Sequence, residues 1–554
     1  MPFDRIALDA LRRCSGPAII GAIDALVAGR LTRREFMRYG SVLGLSPHLL
    51  IGVTTALGLA GAPRQGRAAT PGGTLRFGQV APVGGLDPAR VADPGGITQL
   101  AMCGEYLCTI GPDSILRPGL ATSWSPNLDG NVWTFKIREG VSFHNGKAMT
   151  AADVAATFAR LADPDGESNA LTIFEGYLSK SGVRAVDAST VEFHLEAPHG
   201  QFPYLVSSDN VNAIILPTDH RDDFERNQTA TGPFRLEQYA ADTGAVFVRN
   251  DGYWGSKALP DRIEATFFAD DASTLEALRL GKIDIIARLP QALAATVAAA
   301  PAVQIIRIPS SAHNQLHMRT DSGPFKDPRV RRAVALALDR AKIAETLLSG
   351  RAQIGNDSPF APFYSQTDKT VTQRARNLAE AKALLQAAGV AGGFAAELAS
   401  QSFQEIPAFA LAIKAAVAEL GVTLNIASLA PAAYFADGVF GKSPWLDSAM
   451  GITDYVHHGI PNGHLTAPLR SDGAWNAAHY KNPAYDRQVA TYIAALDIDS
   501  QRKAAGDIQR TLLEDTPVIF AYFTDALAAT RKGLSGAEVS PHGQVRLAAA
   551  SLAT

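Results

Sequence analysis

Four histidines gather late in the chain: His457, His458, His464 and His479. Neutral imidazoles ligate zinc, copper or nickel, so an exported metalloenzyme is one reading of this set. Their spacings match no defined metal motif, and the plainer expectation is polar loop histidines. The acidic pairs Asp222-Asp223 and Asp270-Asp271 read as solvated loop faces. Cys103 and Cys108 lie in Ala101–Ile110, a stretch that reads as helical and would point them to different faces. Two buried small hydrophobes are therefore expected, not a disulfide. There is no GxxxxGK[ST] loop, HExxH helix or GxSxG elbow, and no GxGxxG follows a strand. The expectation is a protein that is not an enzyme and carries no cofactor or resident metal.

The elements that must position these residues are mixed. Thr74–Val80 reads as a strand. Asn131–Arg138 alternates, with Trp133, Phe135 and Ile137 on one face; Val191, Phe193 and Leu195 repeat that period, as do Val246 and Val248. Thr150 caps a predicted helix with Val154, Phe158 and Leu161 in its stripe. Asp327-Pro328 opens another, with Val330, Val334 and Leu338 inward and Arg331 and Arg332 opposite as structural ion-pair partners. Leu378–Ala388 closes at Gly389, and a helix through Ile406, Phe409, Ile413 and Leu420 closes at Gly421. This irregular alternation indicates α/β or α+β lobes. The 554 residues, 47% hydrophobic, are too many for one core. A net charge of -3 gives no reason to expect nucleic acid as partner.

The first 69 residues differ from the rest. They hold nine Lys/Arg and four Asp/Glu, leaving 42 basic and 50 acidic residues and a formal charge of -8 from Thr70 onward. Arg33-Arg34 precedes Phe36, no charged residue lies between Arg38 and Arg64, and Arg67-Ala68-Ala69 offers small residues for cleavage. A basic region, an apolar region and a small-residue site make a secretory signal, and the paired arginines resemble a twin-arginine (Tat) signal. The apolar stretch is rich in Gly, Ser, Thr and Ala and is interrupted at Pro47-His48, which suits a leader better than a membrane anchor. The mature chain would then be soluble and periplasmic.

Residues 119–162, GLATSWSPNLDGNVWTFKIREGVSFHNGKAMTAADVAATFARLA, resemble the signature of the family 5 solute-binding proteins, the peptide-, nickel- and opine-binding receptors of ABC transporters. Further matches follow in order: Thr231-Gly232-Pro233-Phe234 with Asn250–Trp254; Gly281-Lys282-Ile283-Asp284; Pro324-Phe325 through Arg329–Ala333 to Asp339-Arg340; Ala381–Gly389; and Asp515-Thr516-Pro517-Val518.

That resemblance implies an α/β fold of the periplasmic binding protein type II-like kind, two hinged lobes plus an extra inserted lobe. Lobe I would take 70–113, 231–318 and 524–554, the extra lobe II 114–230, and lobe III 319–523. A short peptide or peptide-like amine would be captured in an interlobe cleft and delivered to ABC transporter permease subunits, the protein acting as a monomer exported by the twin-arginine translocase. Met450–Tyr455 resembles the segment where peptide-binding members place an aspartate against the peptide's α-amino group, and Asp454 is the matching residue. Tyr455, His457 and His458 would line the site, with Trp475 and Asn476. Peptide binders often continue with an acidic residue and proline; here Val456-His457-His458-Gly459 follows. That departure keeps a metal chelate, opine or sugar as the alternative ligand.

Overall fold

The computed structural model describes residues 16–57, 59, 71–111, 113–220, 224–298 and 300–552. They form two compact units. The first comprises the chain to Ile308 with 494–499 and 527–554; the second comprises 309–493 and 500–526. The strand His313–Met318, placed in lobe I by the sequence reading, thus belongs to the second unit, and residues 114–230 lie within the first.

In the first unit a seven-stranded sheet runs Val303–Ile308, Ala526–Arg531, Ile285–Ile286, Thr74–Val80, Arg262–Phe268, Gly244–Arg249, Phe234–Ala240. A four-stranded antiparallel sheet runs Ala121–Pro126, Val132–Ile137, Thr190–His194, Val183–Asp187. Trp133, Phe135, Val191 and Phe193 are buried as their alternation predicts. Phe193 packs edge-on against both Phe135 and Phe158, at 5.3 and 5.1 Å between ring centres. Phe158 comes from the helix Ala151–Leu161, whose first turn is closed by the Thr150 amide donating to Asp153 at 2.9 Å.

Three sequence expectations change here. Ala101–Ile110 is not helical: the helix Pro94–Leu100 has ended, and Cys108–Ile110 is a strand paired with Leu116–Pro118. Gly104 explains the break, since a Cβ there would stand 2.6 Å from Ile214 and 2.9 Å from the Leu100 carbonyl. Both cysteines are nonetheless free and buried. Along Gly244–Arg249 it is Ala245 and Phe247 that are buried, not Val246 and Val248; β-branching marks a strand without saying which face is wet. Asp270 and Asp271 are exposed as expected but open a helix instead of lying in a loop, with Asp270 its N-cap accepting from the Ser273 amide at 2.7 Å, while Asp222-Asp223 and the cleavage site Arg67-Ala68-Ala69 lie outside the described residues.

The second unit is built on a five-stranded sheet, Thr423–Leu429, Ala395–Gln401, Met450–Tyr455, His313–Met318, Val518–Phe520. Leu316, Met318, Met450 and Ile452 face a core shared with Phe409, Ile413 and Val417 of the helix Ile406–Ala418 and with Val330 and Val334 of Pro328–Ala337. Arg331 is no ion-pair partner; it is buried and donates to the carbonyls of Phe325, Lys326, Asp515 and Thr516. Below the core, Asp357 is fully buried and accepts from Arg340 and Arg374 at 2.7 and 2.6 Å. Breaking such a group strands buried charge. Asp357→Ala should therefore cost about 3–5 kcal/mol, read as a fall in the urea midpoint of the second unit's unfolding; a change within error would show that the two arginines find other partners.

Candidate ligand-binding site

Asp454 stands near the carboxyl end of the strand Met450–Tyr455, and Gln401 at the carboxyl end of its neighbour Ala395–Gln401, which runs parallel to it. In open α/β sheets these strand ends are where ligands bind. The Gln401 amide donates to Asp454 Oδ1. Across the antiparallel pairing Asp454 sits opposite Asn314. The Asn314 amide donates to Glu405 Oε1 at 2.8 Å and contacts the Tyr522 hydroxyl at 3.1 Å. Glu405 precedes the helix Ile406–Ala418.

Two half-buried carboxylates are thus brought to one corner of the second unit. Burial raises the Asp454 carboxyl above its ordinary 3.8, against the lowering effect of the Gln401 bond. Burial likewise raises Glu405, with the Asp454 charge adding to it. Among the described residues neither has an ion-pair partner; their side-chain donors are the neutral amides of Gln401 and Asn314. The corner is complementary to a cation that can donate hydrogen bonds.

The opposite face of the same strands is aromatic. His313 stacks on Tyr455 at 5.4 Å and 14°, and His464 meets His313 edge-on at 4.8 Å. Trp475 lies 6.5 Å from Tyr455 and 6.2 Å from Trp445. Thr453 and Tyr434 share a hydroxyl bond of 2.9 Å. His313 Nδ1 is 2.8 Å from the Ser311 carbonyl, and His464 Nε2 is 3.1 Å from that of Val456. A carbonyl only accepts, so each of those nitrogens carries the proton. The lone pairs fall on His313 Nε2 and His464 Nδ1, both buried and without a partner among the described residues, like Gln315 Oε1. Burial depresses His313 to about 3 and holds His464 well below its ordinary value, so both rings stay neutral. Oriented neutral imidazoles of this kind suit a borderline divalent metal or a ligand N–H.

The predicted site residues separate. Asp454 and Tyr455 lie on adjacent positions of the site strand. His457 accepts from the Ser311 amide at 3.1 Å, and the His458 amide donates to Ser311 Oγ at 2.9 Å, fixing the loop after the strand. Trp475 belongs to the aromatic face. Asn476 is buried and its amide is spent on its own loop, donating to the Arg470 and Tyr480 carbonyls while its carbonyl accepts from the Tyr480 amide. His479 is bound elsewhere, to the Leu446 carbonyl at 3.0 Å and beside Asp321 at 3.3 Å. Glu405, Gln401, Asn314 and His313 were missed. The available signal was a strand running into a helix with Gln401 and Glu405 at the junction.

A family model for "Bacterial extracellular solute-binding proteins, family 5 Middle" matches residues 116–453, more than half of the chain. The chain belongs to this family. It is a solute-binding protein of type II periplasmic binding-protein fold. The Peptide transport periplasmic protein SapA of Salmonella typhimurium is 24% identical over 79% of this chain and 84% of its own length. The structure of DppA from Helicobacter pylori with the peptide STSA matches 88% of this chain and 99% of that chain at TM-score 0.70 and 22% identity. NikZ from Campylobacter jejuni in complex with Ni(L-His) matches 86% and 99% at 0.69 and 20%.

The raised carboxyl carries a sign. A folded-state value above the unfolded one means that the contribution to stability is full below the unfolded value and is lost as pH rises through the folded one. In the ligand-free solute-binding protein, Asp454→Asn should therefore melt higher than wild type at neutral pH. The gap should close as pH falls below the ordinary 3.8. A variant that melts lower at neutral pH would mean that the carboxylate is held by a cation in the free protein.

Proposed function

We propose that this family 5 protein is a periplasmic receptor that binds a short peptide or peptide-like amine and delivers it to the permease subunits of an ABC importer. The single observation that supports this reading is the pair of half-buried carboxylates, Asp454 and Glu405, met only by neutral amides. A primary ammonium donates three hydrogen bonds and brings the missing charge. Asp454 grips it, Gln401 and Asn314 orient the two carboxylates, while Tyr455 and Trp475 back the strands from their opposite face and His457 and His458 fix the loop that follows. Asn476 acts one step back, through its loop. The binding chemistry forms no covalent bond, so the receptor acts as a carrier and not as an enzyme. Arg33-Arg34 and the uncharged stretch after Arg38 favour export by the twin-arginine translocase, and a monomer suits docking to a permease.

Isothermal titration with di- and oligopeptides tests the reading. Asp454→Ala should weaken free-amine peptides about 10- to 100-fold, the worth of one charge-assisted hydrogen bond. N-acetylated peptides should be unaffected by the substitution. Equal losses for both ligand sets would remove the ammonium contact.

The second reading, a receptor for a metal chelate, is favoured by the orphaned lone pairs of His313 and His464. Its chemistry is borderline-metal ligation by neutral imidazole. Native mass spectrometry of the purified protein separates the two: a peptide adduct supports the first reading and a nickel- or zinc-bearing adduct the second. Opines and sugars would announce themselves by mass in the same spectrum.

A further inference from the structure

Residues 16–57 of the segment read as a leader are folded. Three helices, α1 (Pro17–Val27), α2 (Arg33–Val42) and α3 (Pro47–Ala56), enclose a core of their own with Ile23, Leu26, Phe36, Tyr39, Leu43 and Leu50 inside it. Ile498, from the 494–499 stretch of the first unit, completes that core. α2 has a full capping box, with the Thr32 amide donating to Glu35 at 2.8 Å and the Glu35 amide to Thr32 Oγ1 at 3.3 Å. α1 supplies apolar cover to this core through Ala22, Ile23, Ala25 and Leu26.

The contacts to the rest of the first unit are specific. The Arg38 guanidinium donates to the Asp113 carbonyl at 2.5 Å, and the Leu116 amide donates to Ser41 Oγ at 3.1 Å. The Trp124 indole N–H donates to the Val42 carbonyl at 3.0 Å, and the Tyr39 hydroxyl donates to the Leu496 carbonyl. Gly44 lies so close that a Cβ would stand 1.9 Å from the Trp124 carbonyl oxygen, and its φ is +79°. Four polar anchors and a shared apolar core make a built interface, not a chance contact. The apolar and cationic residues that follow the paired arginines are inside it: Phe36 is 0% exposed and Arg38 8%.

We propose that residues 16–57 are a self-docking leader: the surface formed by Asp113, Leu116, Trp124 and 494–499 binds this helical segment of the same chain, and the residues of α2 that follow the paired arginines, Phe36 and Arg38 among them, are covered on the folded receptor until it is peeled away, although Arg34 itself stays exposed. The docked state opposes reading of the leader, and release exposes the Leu116 amide and the Trp124 indole to water. Removal by cleavage would therefore leave a patch on the mature protein that only the leader fits.

Hydrogen exchange on the full 554-residue chain tests this. Amides of 36–43 should exchange at least about 100-fold more slowly in wild type than in Gly44→Asp, as expected for a folded segment against a frayed one. Protection in Thr74–Val80 should be the same in both. Tyr39→Ala, which alters only the leader, should give the same loss, so the test does not hang on one variant. Trypsin cleavage after Arg38 should accelerate about 10-fold or more in either variant. Exchange of 36–43 at free-peptide rates in wild type, or protection that both substitutions leave intact, would overturn the proposal.

Discussion

The register between His313–Met318 and Met450–Tyr455 is the constraint on which the candidate ligand site depends. Asn314 faces Asp454, Leu316 faces Ile452, and Met318 faces Met450. The last two pairs lie in the core, so burying them decides which way the first pair points. A slip of one residue would reverse every side chain. It would send Asp454 to the aromatic face and bring Tyr455 to the carboxylate corner. The hydrophobic core thereby sets the electrostatics at its own rim, where the alternation runs out of apolar residues and meets Asn314 and Asp454.

That rim holds unneutralised charge because its surroundings are rigid. Glu405 precedes the helix whose Phe409 and Ile413 are fully buried in the same core, so it cannot retreat to solvent without moving the helix. Gln401 ends a strand paired along its length with Thr423–Leu429. The buried Arg340–Asp357–Arg374 group fastens loops on the same unit. In this way the fold sustains two raised carboxyls that an adaptable site would relax by moving apart or recruiting a cation. A cationic ligand of the proposed kind would meet acceptors that are already in place, so little reorganisation would oppose its binding.

Much of the fold was legible in the sequence. The strands at Thr74–Val80 and around Trp133 and Phe135, the helix after Thr150 and those closed by Gly389 and Gly421 follow from periodicity and capping, which are local. Failures came where local signals were outvoted. The stretch 101–110 carries no strong helix breaker in its type sequence except Gly104, and only the contact of Gly104 with Ile214 and Leu100 shows why the chain turns there. Val246 and Val248 marked a strand with its faces exchanged, because exposure depends on what packs above the sheet. The first residues read as a secretory leader, yet 16–57 form three short helices whose core closes only with Ile498, more than 400 residues away.

The sequence by itself determined the family and the mixed α/β class, since these rest on ordered motifs and local patterns, and it singled out Asp454 as a candidate. Tertiary structure alone decided that Asp454 shares its corner with Gln401, Glu405 and Asn314, residues separated by 53 positions in one contact and 91 in another. It also decided that His313, absent from any histidine cluster in the sequence, is the ring that stacks on Tyr455 and meets His464, while His479 and Asn476 turn to other carbonyls. The physical reason is that periodicity says which residues share a face of one element. Which elements become neighbours, and in what register, is settled by the burial of side chains that carry no chemistry of their own.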